Sequence, residues 1–507
     1  MTTTLDRFLD LACLTYAGND SPDRRAEAER LLAAEPGLTA TSIHAAAAVG
    51  DVAGLQALLA EEGGRATVAG GPRGWVPLLY LCYSRVHPDR PGWDPLEAAR
   101  LLLSAGADPN SFTTITECRF TAVTGAIGVG EGGIVAQPSH PQARALVELL
   151  LDAGADVNHS QALYNTHFLP DDSWLQLFLD RGLAAASPAN WDDRGQLKIL
   201  DYLLGQAAQQ GFTDRVALLL KHGAAPDGRN QYNKRSHLEN ARLNGHLEIA
   251  KMLESHGATA LQLTGEEQFR AACLAGDEPE ARRLLAVHPG ARGQPGTLTA
   301  AADHGKLPAV RLALSLGLPI DGAAGDGFTP LHHAARAGQL AVAQELVARG
   351  APLSARDRIY GGTPLNHASH FLEGWPTPAR KQTADFLLRQ TEQAAVELIE
   401  LAFAALNARD IDGALACLHP DFDCPDVAEG GRLRGHDQVR AHWTEQWQTT
   451  DPRVEARYFR PGKAGGLAVE VRQLVRSQTG EVLADQTVTQ VYTLQAGLIR
   501  RMDIERS

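Results

Sequence analysis

Between residues 40 and 390 one unit, two helices joined by short loops, recurs about every thirty residues, and this periodicity restricts the fold more than any other feature. Its clearest copy reads Thr329-Pro330-Leu331-His332-His333-Ala334-Ala335-Arg336-Ala337-Gly338. Glycines that end the first helix of successive units stand at Gly211, Gly245, Gly276, Gly305 and Gly338, in steps of 34, 31, 29 and 33 residues. A second amphipathic stretch follows each, as in Leu247, Ile249, Ala250, Met252 and Leu253, or Val342, Leu346 and Val347. These second helices stop at Gly106, Gly154, Gly182, Gly223, Gly257, Gly317 and Gly350, where a residue without a Cβ takes the left-handed conformation. A unit this small cannot bury its apolar face alone. The pattern therefore predicts a solenoid stabilised by neighbour-to-neighbour stacking.

The Thr-Pro opening, the closing glycine and a period of about 33 residues closely resemble the ankyrin repeat. The phrases Ser104-Ala105-Gly106-Ala107-Asp108-Pro109-Asn110 and Asp152-Ala153-Gly154-Ala155-Asp156-Val157-Asn158 are its most specific matches. The resemblance implies an α-solenoid of about ten units over residues 1–390. The opening unit, 5–35, is divergent, with Ser21 as N-cap and Pro22 in the first helical position. Units at 163–183 and 197–227 also depart from the consensus. Such an array implies a platform for a protein partner, whose identity the sequence does not carry.

At 507 residues the chain exceeds the size at which single cores stop growing. Residues 1–390 carry 34 Lys and Arg against 42 Asp and Glu, and residues 391–507 carry 13 against 18. Both parts are mildly acidic and neither contains a basic run, so nucleic acid is not an expected partner. Six cysteines, at 13, 82, 118, 273, 417 and 424, form no Cys-x-x-Cys pair. The first residues lack a basic segment followed by an apolar one, and nowhere do eighteen apolar residues run together. The expectation is a soluble, cytoplasmic bacterial protein with no membrane span and no cofactor.

After Gln390 the period changes. Helices are expected over 392–408 and 411–418, and then apolar and polar residues alternate through 467–475 and 482–494 around the turn Thr479-Gly480. This order of elements resembles the nuclear transport factor 2-like superfamily in its SnoaL-like branch. The matching stretches are Asn407-Ala408-Arg409-Asp410, Leu418-His419-Pro420-Asp421-Phe422, Leu433-Arg434-Gly435-His436-Asp437 and Val491-Tyr492-Thr493-Leu494-Gln495-Ala496-Gly497-Leu498-Ile499. The resemblance implies an α+β cone over residues 391–507, with an apolar pocket between a long helix and a concave sheet. Some relatives are isomerases, cyclases or hydrolases, and others are binding or dimerisation modules. Fold alone does not choose among them.

Isomerase chemistry in such a pocket needs a carboxylate base and a donor for the developing enolate. If Val482, Val488, Tyr492 and Leu494 face inward, Gln486 and Gln490 join them while Asp485, Thr487 and Thr489 point out. That strand supplies amides and a phenol but no acid. Asp421 and Asp423 are the remaining candidate acids, at the mouth, although such residues more often cap turns. Trp443 and Trp447, four apart on one helix face with His442 beside them, either close a ligand pocket or pack a core or dimer interface, and His442 is a candidate proton donor only where it shares that pocket. Arg472 is expected to face solvent.

Three further signals lie in the repeats. Residues 128–133 match Gly-x-Gly-x-x-Gly formally, but they follow a repeat helix rather than a strand and are read as a flexible inserted loop. His332, His333, His367 and His370 cluster in the last units with no carboxylate at ligand spacing, so they are read as structural and no metal is expected. Long inserts at 84–94, 127–140 and 370–378 place Trp93, Phe371 and Trp375 on loops, as anchors for a partner or as cover for the solenoid edge. Together these features suggest an interaction scaffold whose repeats bind a protein and whose tail forms a homodimer or holds a small apolar ligand. The alternative is a small-molecule enzyme or sensor recruited by the repeats.

Overall fold

The computed structural model describes residues 3–87, 89–115, 117–189, 197–259, 262–426, 430–461 and 466–505. Contacts divide the chain into two compact units, Met1–Ala291 with Glu373–Pro376, and Arg292–Leu372 with Thr377–Ser507.

The first unit is a succession of helix pairs. It opens with Thr4–Ala12 and Pro22–Ala34, the second capped by Ser21 Oγ, which accepts from Arg24 N at 3.4 Å, with Pro22 in its first turn. Inner helices are short and nearly all buried. In Ile43–Val49 the run Ala45 to Ala48 is wholly buried, because side chains of one carbon let neighbouring backbones approach closely. Every glycine named above as a helix end has positive φ. At Gly245 space is also limiting, since φ is +66° and a Cβ would lie 2.4 Å from Leu274 O. At Gly257, φ is +97° but a Cβ would meet nothing within 4 Å. Gly257→Ala should therefore cost about 1 kcal/mol and Gly245→Ala about 2–3 kcal/mol in urea unfolding. Equal losses would show that conformation alone, and not the close approach, selects glycine at position 245.

Two features of this unit depart from expectation. The strands β1 (Phe112–Ile115) and β2 (Cys118–Thr121) form an antiparallel hairpin that the helical period does not announce. Residues 127–140 are not a loose loop. Val129 N donates to Gln137 O at 2.7 Å, Gly133–Ala136 form a short helix, and Gln137, itself buried, accepts from Gly132 N and donates to Asp20 at 3.0 Å. The local glycines permit this tight path, and the hydrogen bonds then fix it.

The second unit begins with the pairs Gly296–Asp303 with Leu307–Ser315 and Pro330–Ala337 with Leu340–Ala348. The expected insert at 370–378 is largely helix, because Pro364–Gly374 continues through it. The helix expected over 392–408 is longer as well, running unbroken from Pro378 to Asn407 through residue 390. No proline or glycine interrupts its interior, so nothing in the sequence stops it earlier.

After the helix Ile411–Ala416 come β3 (Leu418–Pro425), β4 (Arg432–Arg434), the helix Gly435–Thr449, β5 (Thr450–Pro461), β6 (Leu467–Ser477), β7 (Val482–Gln495) and β8 (Leu498–Glu505). They make one six-stranded sheet in the order β4-β3-β8-β7-β6-β5, antiparallel except where β3 meets β8. The long helix packs Ile399 and Phe403 against Val469, Val471 and Tyr492 of this sheet. Among the described residues no helix is long and apolar enough to cross a membrane.

Candidate ligand site

The long helix, the helix Gly435–Thr449 and the inner face of the sheet enclose a cavity of about 380 Å³. Alternation along β7 sends Gln486, Gln490 and Tyr492 into it, and β3 contributes Phe422 and Cys424. The 3.6-residue helical period puts His442, Trp443, Gln446 and Trp447 on one face, which forms the opposite wall. The two indoles stack with centroids 6.3 Å apart and planes 9° from parallel. They stand beside the cavity and leave it open.

Polar groups in the wall are partly committed to one another. Tyr492 Oη donates to Gln490 Oε1, and burial pushes the phenol well above its ordinary range. Gln486 Nε2 donates to Gln473 Oε1 at 3.2 Å. Asn407, the last residue of the long helix, holds β5 with both ends of its amide. Its Nδ2 donates to Val454 O at 2.7 Å and its Oδ1 accepts from Val454 N at 2.9 Å. These bonds set the spacing between helix and sheet, and so the width of the cavity.

The candidate acids lie elsewhere. Phe422 and Cys424 face inward on β3, so the intervening Asp421 and Asp423 face outward. Asp421 is exposed, and Asp423 is ion-paired with Arg432 and, at 3.1 Å, with Arg501. Among the described residues no carboxylate lines the cavity. His442 does line it, half-buried. Arg472 pairs with Asp485 on the outer face at 2.6 Å.

The three candidate partner anchors do not project freely. Trp93 is half-buried against the repeat core, with the Arg90 guanidinium 4.6 Å from its ring centroid. Phe371 lies in a helix, half-buried beside His370 at 5.5 Å, and Trp375 contacts Phe168 at 6.0 Å. The histidine cluster needs a correction too. Asp357 joins His332 and His367, and their ligand atoms lie within 4.8 Å of one another. Each of these atoms already has a protein partner. His332 Nε2 bonds Gly362 O at 3.1 Å and its Nδ1 bonds Thr329 Oγ1 at 2.8 Å. Asp357 accepts from His367 Nε2 at 3.0 Å and from the amides of Ile359, Tyr360 and Gly362. The trio ties the Thr-Pro-Leu-His turn of one unit to the hairpin of the next.

Comparison with known families matches residues 399–502 to the SnoaL-like domain and residues 298–347 to ankyrin repeats. No curated protein matches the chain. Similar solved structures each cover 22% of it. One is TerC co-crystallised with polyporic acid, 22% identical over 92% of that chain with a TM-score of 0.21. Another is an NTF2-like protein of unknown function from Burkholderia pseudomallei, 21% identical over 91% with a TM-score of 0.20. A third is a Mycobacterium tuberculosis protein in complex with estradiol-17β-hemisuccinate, 18% identical over 94% with a TM-score of 0.21. Residues 298–347 thus form ankyrin repeats, residues 399–502 form a SnoaL-like domain of the nuclear transport factor 2-like class, and the chain is an ankyrin-repeat protein that carries such a domain.

Proposed function

We propose that the tail holds a small, largely apolar ligand and that the repeats bind a protein partner, so that the chain links ligand occupancy to an interaction platform. The observation that carries this reading is an open cavity of about 380 Å³, walled by Trp443, Trp447, Phe422 and Tyr492, with a few amides for orientation. Its size and mix of groups suit a ligand pocket. Carboxylate-driven enolisation lacks its base there, because Asp421 and Asp423 lie on the other face, and of the residues weighed for proton transfer only His442 remains at the cavity. Sensing therefore has more support than isomerase chemistry. Dimerisation through the outer sheet face has less, since that face presents the Arg472–Asp485 pair with Glu455 close by.

The test is a titration of the full chain with the dye 1-anilinonaphthalene-8-sulfonate, followed through quenching of tryptophan emission. Ala402 lines the cavity and is 5% exposed, so Ala402→Phe should fill the space and abolish quenching. Trp443→Ala, which keeps the cavity but removes a wall, should weaken binding about 10- to 100-fold. Quenching that survives Ala402→Phe would place the dye elsewhere and remove the proposal.

A further inference from the structure

The first unit contains a second cavity, of about 420 Å³, within the size range of ligand pockets. Five separate segments build it: the turn after the first helix, the β1–β2 hairpin, the insert at 127–140, the helix Ser160–Thr166, and Gln231 with Tyr232. Its wall is held at unusual cost. Tyr16 and Val129 both have positive φ, at +52° and +57°, although neither is glycine. Asp20 accepts from Thr15 N at 2.8 Å and Tyr16 N at 2.9 Å, and its link to Gln137 ties that turn to the insert. A β-branched residue and a tyrosine are held in the left-handed region so that the insert closes over the Tyr16 ring.

The unspent hydrogen-bonding capacity indicates what the cavity would take. Tyr16 Oη is buried beside Asn165 yet makes no hydrogen bond of normal geometry. Asn165 and Gln137 spend their amides on the protein, through Val129 O, Gln161, Gly132 N and Asp20. Gln161 donates to Asn165 and keeps its carbonyl oxygen. Glu131 accepts from Tyr164 Oη at 2.6 Å, keeps its second oxygen, and makes no ion pair among the described residues. Around these stand the rings of Tyr16, Phe120, Tyr164 and Tyr232. Among the described residues Glu131 is the one charged group in the lining, and Arg25 and Arg85, outside it, spend their N–H groups on backbone carbonyls. Acceptors outnumber donors, which selects a ligand rich in hydroxyl hydrogens, and the rings offer flat faces to C–H groups.

We propose that this cavity in the repeats is a binding site for a neutral polyhydroxylated ligand, a pyranose sugar, with Glu131, Gln161 and Tyr16 Oη contacting its hydroxyls and Tyr232 covering its face at the rim. The sugar is either free or the end of a glycan, and the hydroxyl chemistry is the same for both.

The test is saturation-transfer NMR on the full chain with glucose, galactose, mannose, N-acetylglucosamine, maltose and cellobiose, each at about 10 mM. Methyl glycosides and choline are added as separate probes. At least one pyranose should receive saturation, and Glu131→Gln and Tyr232→Ala should each weaken its binding by about tenfold. Both substituted residues are exposed at the rim, so the fold should survive, and Ala402→Phe in the tail should change nothing. Preference for the methyl glycoside over the free sugar identifies a glycan end, and the reverse identifies a free sugar. Saturation of choline alone, of no probe at all, or of a sugar indifferent to both rim variants would overturn the proposal.

Discussion

Acidification from pH 7 to 4.5 should unfold the first unit while leaving the tail sheet folded. Burial holds the imidazoles of His87, His159, His167 and His237 down to about 4, and that of His140 well below its ordinary value. All five lie in the first unit. Geometry gives the same result independently. His87 Nδ1, His140 Nε2, His159 Nε2 and both nitrogens of His237 are buried without partners, so a second proton would enter with no acceptor. His87 and His140 also meet edge to face with ring centroids 4.2 Å apart and Arg85 nearby, and each positive charge would repel the others. Burial outweighs what opposes it, Asp156 beside His159 and, for His167, the carbonyl of Tyr164 and then Glu131.

The direction follows from linkage. These groups titrate near 6.5 when unfolded and lower when folded, so the unfolded chain binds more protons between those values. The stability they contribute is complete above about 6.5 and drains away as pH falls towards 4. At pH 4.5 each buried histidine costs roughly 2 kcal/mol, and several together approach the 5–15 kcal/mol that hold a typical domain. Far-ultraviolet circular dichroism of the full chain should lose most of its helical signal between pH 6 and 4.5. The double variant His159→Gln, His237→Gln should move that midpoint to lower pH. A midpoint unchanged in the double variant would assign the transition to other groups.

Several of these histidines were visible in the sequence only as scattered single residues, and the reason generalises. What the sequence displays is what repeats: the glycine register, Thr-Pro-Leu-His at 329–332, and the order of motifs from Asn407 to Ile499. Strand parity also placed Gln486, Gln490 and Tyr492 on one face, because a period of two needs only one anchoring residue. The same parity applied to β3 would have turned Asp421 and Asp423 outward, had its extent been known. Contacts that cross units leave no local trace. Asp357 reaches His332 from the following hairpin, and Asp20 reaches Gln137 across 117 positions. The glycine-rich stretch at 128–133 signals mobility in composition alone, yet partners far along the chain make it rigid. A change of period does not mark a boundary when helix lies on both sides of it, which is why the helix Pro378–Asn407 passes through residue 390.

Arg85→Ala should destabilise the first unit by about 3–5 kcal/mol, the largest loss expected from any single substitution there. The residue is 8% exposed, and its guanidinium donates to four backbone carbonyls: Pro138 O at 2.6 Å, Cys82 O at 3.0 Å, Ser84 O at 2.7 Å and Gly125 O at 2.6 Å. It has no carboxylate partner among the described residues, and burial lowers it only to about 10, so it is charged at neutral pH. Its counter-charge is the backbone. Cys82 and Gly125 belong to the last turns of Pro77–Tyr83 and Ala122–Ile127, where carbonyls lack intrahelical partners and the helix dipoles are negative. One side chain thus staples two helix ends to the insert. Removing it strands acceptors in a water-poor site, and each unsatisfied group costs about 1–3 kcal/mol before relaxation. Arg85→Lys keeps the charge but not the planar five-donor fork, so it should recover no more than half of the loss. Urea titration of the three proteins measures this. Full recovery by lysine would show that charge at the helix ends matters and the fork does not. If alanine cost less than about 1 kcal/mol, the insert must open and hand its carbonyls to water. In that case the pyranose site in the repeats, whose wall the same insert forms, should lose its ligand in Arg85→Ala even though the fold survives.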